Sequence, residues 1–252
     1  MLLCKVKNIF TMRKFCKFLA VIILTVSGVT VAGCKPDEPI HGGNNGHIVV
    51  PIATHEFVDL GLPSGILWAA CNVGADSPED FGDYFAWGET APKELYDWKN
   101  YRYGTLSHGY FAMTKYCSDS CFGLDGFVDN LTVLEATDDA VVANWGARWR
   151  MPTREEWEEL FKESTNSWTT QNGVEGRLFV GPNGNSVFFP ATGFRLGAEL
   201  LCPGLGAYWS STLHGDFPER GWSLHFDMDN CHVCGTYERN RGQSIRAVRA
   251  CQ

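Results

Sequence analysis

The sequence is short of positive charge. Its 252 residues include 21 Lys and Arg against 29 Asp and Glu, which gives a formal net charge of −8. Proteins that bind nucleic acid neutralise phosphates with a basic surface. The charge balance therefore argues against nucleic acid as a partner.

The sequence also lacks the short motifs of common active sites. It contains no Gly-x-Ser-x-Gly nucleophile turn, no His-Glu-x-x-His zinc motif and no glycine-rich phosphate loop. We therefore expect a protein that is not an enzyme, with no catalytic residues, no metal and no cofactor. It contains no internal repeat.

Basic residues do gather at the N-terminus, where no acidic residue accompanies them. They are Lys5, Lys7, Arg13, Lys14 and Lys17, and an apolar run follows at 18–31. The run is shorter than the roughly 20 residues that a membrane-spanning helix needs. This pattern is typical of an export signal. Translation from Met12 instead of Met1 would shorten the basic region, and the sequence leaves both starts open.

The apolar run ends in the sequence VAGC, whose last residue is Cys34. It resembles the lipobox of bacterial lipoproteins. The resemblance implies that 1–33 is a signal peptide and that Cys34 is acylated, each buried methylene adding about 0.8 kcal/mol of membrane binding. The alternative is a plain secretory signal with an incidental cysteine. If Cys34 is the first mature residue, 16 Lys and Arg remain against 29 acids, a formal charge of −13.

The residues after Cys34 predict where the protein is displayed. The sequence KPDE at 35–38 resembles the surface-export signal of lipoproteins in Bacteroidota-type bacteria. That resemblance implies an outer membrane lipoprotein, exposed at the cell surface and bound to the membrane through its lipid anchor. Residues 34–54 are rich in Pro, Gly and Asn, which predicts a flexible tether. Residues 55–252 are predicted to form one folded domain.

Seven cysteines follow Cys34, an odd number that cannot pair completely. They are Cys71, Cys117, Cys121, Cys202, Cys231, Cys234 and Cys251. Disulfides Cys117–Cys121 and Cys231–Cys234 fit an exported protein, although such short loops are often strained. Both close pairs together could supply four thiolates to zinc. Because the two pairs differ in spacing, a zinc site is disfavoured.

One segment, 153–162, carries a complete helix signal. Thr153 and Glu156 have the spacing of a capping box. The apolar residues fall on one stripe and predict one buried face; they are Trp157, Leu160 and Phe161. The remaining acids of the helix are interpreted as a solvated surface.

The rest of the domain is predicted to be mainly strands. Strand patterns cover 57–62, 66–73, 167–170, 177–180, 186–189, 207–212, 221–228 and 243–249, and a short helix is predicted at 138–145. In 221–228, Trp222, Leu224, Phe226 and Met228 alternate with Ser223, His225 and Asp227, which predicts one buried and one exposed face. The stretch 90–134 shows no sustained period and is predicted to form irregular loops held by aromatic side chains.

Five motifs in order resemble one known family, the Fibrobacter-type major paralogous domain. They are VDLGLPSGILWAACNVG at 58–74, GDYFAWGE at 82–89, WRMPT at 149–153, YWSS at 208–211 and GQSIR at 242–246. The resemblance covers 57–249. It implies an α+β fold that is C-type-lectin-like, with mixed or antiparallel sheets, one or two helices and long aromatic loops.

The resemblance also implies a location for ligand binding. In some C-type-lectin-like relatives a C-terminal patch is diversified, and the matching region here is 213–241. Its candidate ligand-binding residues are His214, Asp216, Arg220, His225, Asp227, Asp229, His232, Tyr237 and Glu238. We expect a surface for adhesion or recognition, whose partner is an unknown protein or glycan.

Three other functions stay open. The first is a structural subunit of a surface assembly. The second is a calcium-dependent sugar lectin using Asp227, Asp229, Asn230 and Glu238, although the Glu-Pro-Asn and Trp-Asn-Asp motifs of such lectins are absent. The third is a catalyst like the formylglycine-generating enzymes, with Cys231 and Cys234 as its cysteine pair.

Overall fold

The structure is a computed structural model that describes residues 55–107 and 109–251. The predicted signal peptide, Cys34 and the tether lie outside the described residues. The helices are α1 (Ala140–Trp145) and α2 (Arg154–Glu163). The strands are β1 (Phe57–Asp59), β2 (Ile66–Asn72), β3 (Gly104–Ser107), β4 (Tyr110–Met113), β5 (Thr165–Gln171), β6 (Val174–Val180), β7 (Ser186–Pro190), β8 (Phe194–Leu196), β9 (Glu199–Leu201), β10 (Gly206–Leu213), β11 (Arg220–Phe226), β12 (Cys231–Glu238) and β13 (Arg246–Ala250).

The strands form antiparallel sheets. Three sheets have three strands each, in the orders β1-β2-β13, β5-β6-β7 and β10-β11-β12, and two further hairpins are β3-β4 and β8-β9. The first sheet brings the two ends of the domain together, because β13 pairs with β2. This confirms the coarser prediction of an α+β domain with antiparallel sheets and helices.

The sheet β10-β11-β12, called the central sheet below, separates two hydrophobic cores. Tyr208 and Trp209 are neighbours on β10, so their side chains point to opposite faces. Trp209 packs in one core with Trp87, and Tyr208 packs in the other with Trp157. All four side chains are fully buried. Both faces of the central sheet are therefore covered over most of its length.

This arrangement overturns the predicted exposed face of 221–228. Leu224 and Phe226 are buried as expected, but Ser223 on the other face is only 1% exposed. The chain near Ser244 lies along β10, where the Trp209 amide donates to the Ser244 carbonyl oxygen at 3.1 Å. Met228 falls beyond the end of β11 and is 64% exposed. Ser223 pairs with Trp209 in the β10-β11 register, so its side chain lies on the side of the sheet where the core with Trp87 and Trp209 packs. Alternation records side-chain polarity, and here both sides of the sheet are packed.

The predicted helix and its capping box are confirmed. The Thr153 side chain accepts from the Glu156 amide at 3.3 Å, and the Glu156 carboxylate accepts from the Thr153 amide at 2.9 Å. Trp157 and Leu160 are fully buried, whereas Phe161, expected on the same stripe, is 40% exposed. None of the helices in the described part of the chain is long and apolar enough to cross a membrane.

The prediction of irregular loops over 90–134 was wrong at one place. Strands β3 and β4 pair there as a hairpin, in which Gly104 pairs with Met113 and Ser107 with Tyr110. Its strands have only four residues each, too few to establish a clear period. Strand β12 was also missed, because its polar side chains were interpreted as a displayed surface.

Candidate ligand-binding cleft

A cleft of about 360 Å³ opens between the β3-β4 hairpin and the paired ends of β11 and β12. This aromatic cleft lies at the low end of the size range for small-ligand sites. Its lining residues are Trp98, Tyr110, Phe111, Met113, Cys121, Phe122, Glu219, Arg220 and Glu238. It joins part of the predicted recognition region to a segment that the sequence had left without a role.

Aromatic rings form one wall of the cleft. Trp98 and Phe111 are stacked, with ring centroids 5.6 Å apart and planes at 22°. The Tyr101 ring meets Trp98 edge-on at 5.4 Å and is itself buried. Such contacts hold aromatic planes in place, so little side-chain entropy is lost when a ligand packs on them.

Charged side chains form the opposite wall. Arg220 starts β11 and Glu238 ends β12, and the two residues are register partners in the central sheet. The Arg220 Nη2 lies 4.0 Å from Glu238 Oε1, and its Nε lies 3.6 Å from Glu219 Oε1. Glu238 is held more closely by Arg241, at 2.7 Å. The guanidinium of Arg220 therefore has carboxylates nearby without a direct hydrogen bond to either.

Asp138 holds the β3-β4 hairpin, which supplies part of the aromatic wall. Its carboxylate accepts hydrogen bonds from the Tyr103 hydroxyl at 2.5 Å, the Tyr116 hydroxyl at 2.6 Å and the Lys115 ammonium at 2.6 Å. Tyr103 precedes β3, while Lys115 and Tyr116 follow β4. Both ends of the hairpin are thus tied to one buried carboxylate.

Arg239 ties the hairpin to the central sheet. It follows Glu238, is fully buried, and donates to the carbonyl oxygens of Lys115 and Tyr116 at 3.3 and 3.0 Å. Its guanidinium lies 5.3 Å from the centroid of the Trp87 ring. Burial lowers the pKa of this arginine. Its guanidinium is hydrogen-bonded to carbonyl oxygens instead of a carboxylate. The two walls of the cleft therefore share a rigid base.

The structure divides the predicted site residues among separate places. Arg220 and Glu238 line the aromatic cleft. Asp227 and Asp229 lie at the far end of β11, roughly 20 Å away at 3.3 Å per residue. One small ligand cannot contact both ends.

His214 and Asp216 lie in the β10-β11 connection. His214 stacks on Trp222 with ring centroids 4.7 Å apart, and the Arg154 guanidinium lies 3.8 Å from the centroid of the Trp222 ring. The His214 Nδ1 accepts from the amides of Asp216 and Phe217, each at 3.2 Å. Burial lowers the pKa of His214, which keeps this acceptor unprotonated. The histidine closes a turn.

Asp227 has a structural contact of the same kind. Its Oδ1 accepts from the amides of Asp229 and Asn230 at 2.9 and 2.7 Å, which closes the β11-β12 turn. Glu238 stands at the other end of β12, so the four candidate calcium ligands are not brought together. Among the described residues no group of three or more His, Cys, Asp or Glu could hold a metal ion.

His225, His232 and Tyr237 meet on one face of the central sheet. His225 pairs with His232 in register, and the rings of His225 and Tyr237 lie 4.3 Å apart. Burial, with smaller effects of Arg241 and His232, lowers the pKa of His225 to about 4. The imidazole is therefore neutral at neutral pH.

This lowered pKa predicts acid sensitivity. Between about pH 6.5 and pH 4 the unfolded chain binds a proton at His225 that the native chain does not. The free energy of unfolding should fall over that range by about 3 kcal/mol from this residue. Urea titrations at pH 6.5 and pH 4 measure this decrease. His225→Phe is the control, because it keeps the ring contact with Tyr237 and has no group that titrates. If the free energy of unfolding of the variant fell as steeply with pH, the acid sensitivity would not come from His225.

The cysteines do not form the predicted short disulfides. Cys117, Cys121 and Cys231 are free thiols. Cys117 is buried and its Sγ donates to the Asp119 carbonyl oxygen at 3.1 Å, whereas Cys121 is exposed and lines the cleft. The Cys117–Cys121 pairing is therefore absent from this structure, and Cys231 is not part of a disulfide.

Sequence reasoning missed the aromatic half of the cleft. Trp98, Phe111 and Phe122 come from a region with no clear period, and Glu219 precedes a predicted strand without any motif. The density of aromatics near Trp98 was a usable signal, since Tyr96, Tyr101, Tyr103 and Tyr110 are close in sequence. The aromatics that are buried and those that line the cleft cannot be separated without the fold.

The chain matches no family model, no curated protein and no solved structure. The resemblance to the Fibrobacter-type major paralogous domain therefore stays a prediction.

Proposed function

We propose that this chain is a lipid-anchored protein of the outer membrane, displayed at the cell surface, that recognises a ligand and does not catalyse a reaction. The observation that carries the proposal is the aromatic cleft. Fixed aromatic planes face a wall of charged side chains there, as in sites that bind small ligands or protruding groups. Arg220 and Glu238, which the sequence predicts as ligand-binding residues, both line this cleft.

The fold we propose is C-type-lectin-like. Three features support it: the first and last strands of the domain belong to one sheet, a long connection rich in aromatics follows β2, and a second sheet carries the C-terminal candidate residues. In such a fold the region 213–241 would contribute the recognition surface. Of that region, Glu219, Arg220 and Glu238 line the aromatic cleft.

Two alternatives have less support. Burial raises the pKa of the Cys231 thiol to about 11, so the thiol stays protonated at neutral pH and a formylglycine-generating type of chemistry is disfavoured. A structural subunit of a surface assembly needs no ligand cleft. It stays the second candidate, because the lipid anchor and tether serve it equally well.

Binding is tested with the full lipoprotein, displayed on cells, against an array of glycans and an array of extracellular proteins. We expect wild type to bind at least one probe, and Arg220→Ala and Glu238→Gln to bind at least tenfold more weakly. Glu163→Gln is a matched control, because Glu163 also pairs with a cation at 2.7 Å and is similarly exposed. No binding to either array would favour the structural subunit. Equal binding by all variants would mean that the cleft is not the binding site.

The anchor is tested separately. Wild-type protein should sediment with membranes and be digested by protease added to intact cells. Cys34→Ser should leave the membrane fraction, because it has no thiol to acylate. A Cys34→Ser variant that still sediments with membranes would refute the lipid anchor.

A further inference from the structure

We infer that the aromatic cleft takes a neutral sugar ring of a glycan, held without a metal ion by stacking on the aromatic wall and by hydroxyl contacts to Arg220 and Glu238. This inference rests on the proposed binding function and names its ligand class. It comes from two properties of the cleft, the balance of its charges and the spacing of its polar atoms.

The charges of the polar wall nearly cancel. Glu219 and Glu238 face Arg220, and Arg241 contacts Glu238 at 2.7 Å. Arg241 is outside the lining of the cleft but neutralises Glu238, so Glu219 and Arg220 remain as one charge of each sign. Phosphate, sulfate or a quaternary ammonium would meet like charge as closely as opposite charge, which costs binding energy. The wall therefore suits a ligand that is polar and uncharged.

The spacing suits a hydroxyl group in particular. Arg220 Nη2 and Glu238 Oε1 are 4.0 Å apart, beyond the direct hydrogen-bond range of about 2.7–3.2 Å. One hydroxyl oxygen between them could accept from the guanidinium and donate to the carboxylate, since a hydroxyl does both. An amide nitrogen only donates and a carbonyl oxygen only accepts, so neither bridges the pair alone.

The aromatic wall adds the second requirement. Trp98 and Phe111 present rigid rings, and a flat apolar face packs best on them. A sugar ring has such a face of C–H groups and carries hydroxyls around its rim. Few other neutral molecules combine both surfaces within a cleft of about 360 Å³, which has room for one or two rings.

Metal independence follows from the same contacts. The lining includes two carboxylates, Glu219 and Glu238, whereas calcium takes roughly six to eight oxygen ligands. Glu238 already pairs with Arg241. Chelation of divalent ions should therefore leave sugar binding unchanged.

The test uses the full lipoprotein in detergent on an array of neutral and acidic glycans, with and without EDTA. We expect binding to neutral glycans that EDTA does not alter. Glu238→Gln should weaken it at least tenfold and Glu163→Gln less than twofold. Trp98→Phe should keep binding within about threefold and Trp98→Leu should lose at least tenfold, because only the first keeps a ring. Phe161→Leu removes a 40% exposed ring on α2, outside the cleft, and should leave binding unchanged. Thermal melting verifies that each variant is folded.

The failures are distinguishable. Binding only to acidic glycans, loss of binding in EDTA, or equal binding by Trp98→Leu and Trp98→Phe would overturn the sugar inference. Binding only to the protein array would overturn it while leaving the proposed recognition function standing. No binding on either array would overturn both.

Discussion

Replacing Arg246 by methionine is expected to lower the free energy of unfolding by about 3–5 kcal/mol. Arg246 lies on β13 and is fully buried, and burial lowers its pKa. It donates to the Asn72 side-chain oxygen at 2.9 Å and to the carbonyl oxygens of Ala69 at 3.0 Å and Phe188 at 2.9 Å. It thereby links the sheet that joins the chain ends to β7.

Methionine fills much of the volume but donates nothing, so these buried oxygens lose their partner. Urea unfolding of Arg246→Met and Arg249→Met makes the comparison. Arg249 lies on the same strand, is only partly buried and stacks over the Phe57 ring at 4.1 Å, so its replacement should cost about 1 kcal/mol. Equal costs for both variants would show that the buried hydrogen bonds of Arg246 are not a major source of stability.

Replacing Asp138 by alanine is expected to lower the free energy of unfolding by about 3 kcal/mol. It should also loosen the β3-β4 hairpin. Burial alone would raise the pKa of Asp138, but hydrogen bonds from Lys115, Tyr103 and Tyr116 outweigh it and the pKa is lowered. The carboxylate therefore stabilises the fold at neutral pH. Its contribution is lost as the pH falls below the ordinary aspartate pKa and through the lowered one. Without it, the buried hydroxyls of Tyr103 and Tyr116 lose an acceptor, and the partly exposed ammonium of Lys115 keeps only Glu135.

Hydrogen exchange measures this effect locally. In Asp138→Ala the amides of β3 and β4 should exchange faster, while those of β10 and β11 change only by the global loss of stability. Asp216→Ala, in an exposed turn, is the matched control. It should leave amide exchange unchanged both in the hairpin and in β10 and β11. Unaltered protection of the hairpin would mean that other contacts hold the aromatic wall.

The parts of the fold that the sequence predicted are those governed by local chemistry. The cap of α2 depends on Thr153 and Glu156, three residues apart, and it forms as expected. The sequence also predicts a turn at Asn183-Gly184 between the strands at 177–180 and 186–189. That hairpin forms, and of the two residues Gly184 has the positive φ, at 86°. Such signals are complete within a few residues.

The parts that failed depend on contacts distant in sequence. Ser223 is polar and alternates with apolar neighbours, yet it is buried on the side of the sheet where the core with Trp87 and Trp209 packs. Arg239 looks like a surface residue in the sequence, but it is buried because carbonyl oxygens more than 100 residues away accept its hydrogen bonds. The cleft combines both cases, since Arg220 and Glu238 were predicted and Trp98 could be placed only by the fold.

The most direct measurement of the central claim is the alkylation of Cys121 by iodoacetamide, at mildly alkaline pH, with and without the glycan or protein that the arrays identify. Cys121 lines the cleft, whereas Cys202 is also exposed and lies outside it, so the two thiols serve as probe and internal control in one protein. If the cleft is the binding site, ligand should slow alkylation of Cys121 at least tenfold and leave Cys202 unchanged. Equal rates at Cys121 with and without bound ligand would contradict the account and move the site elsewhere on the domain.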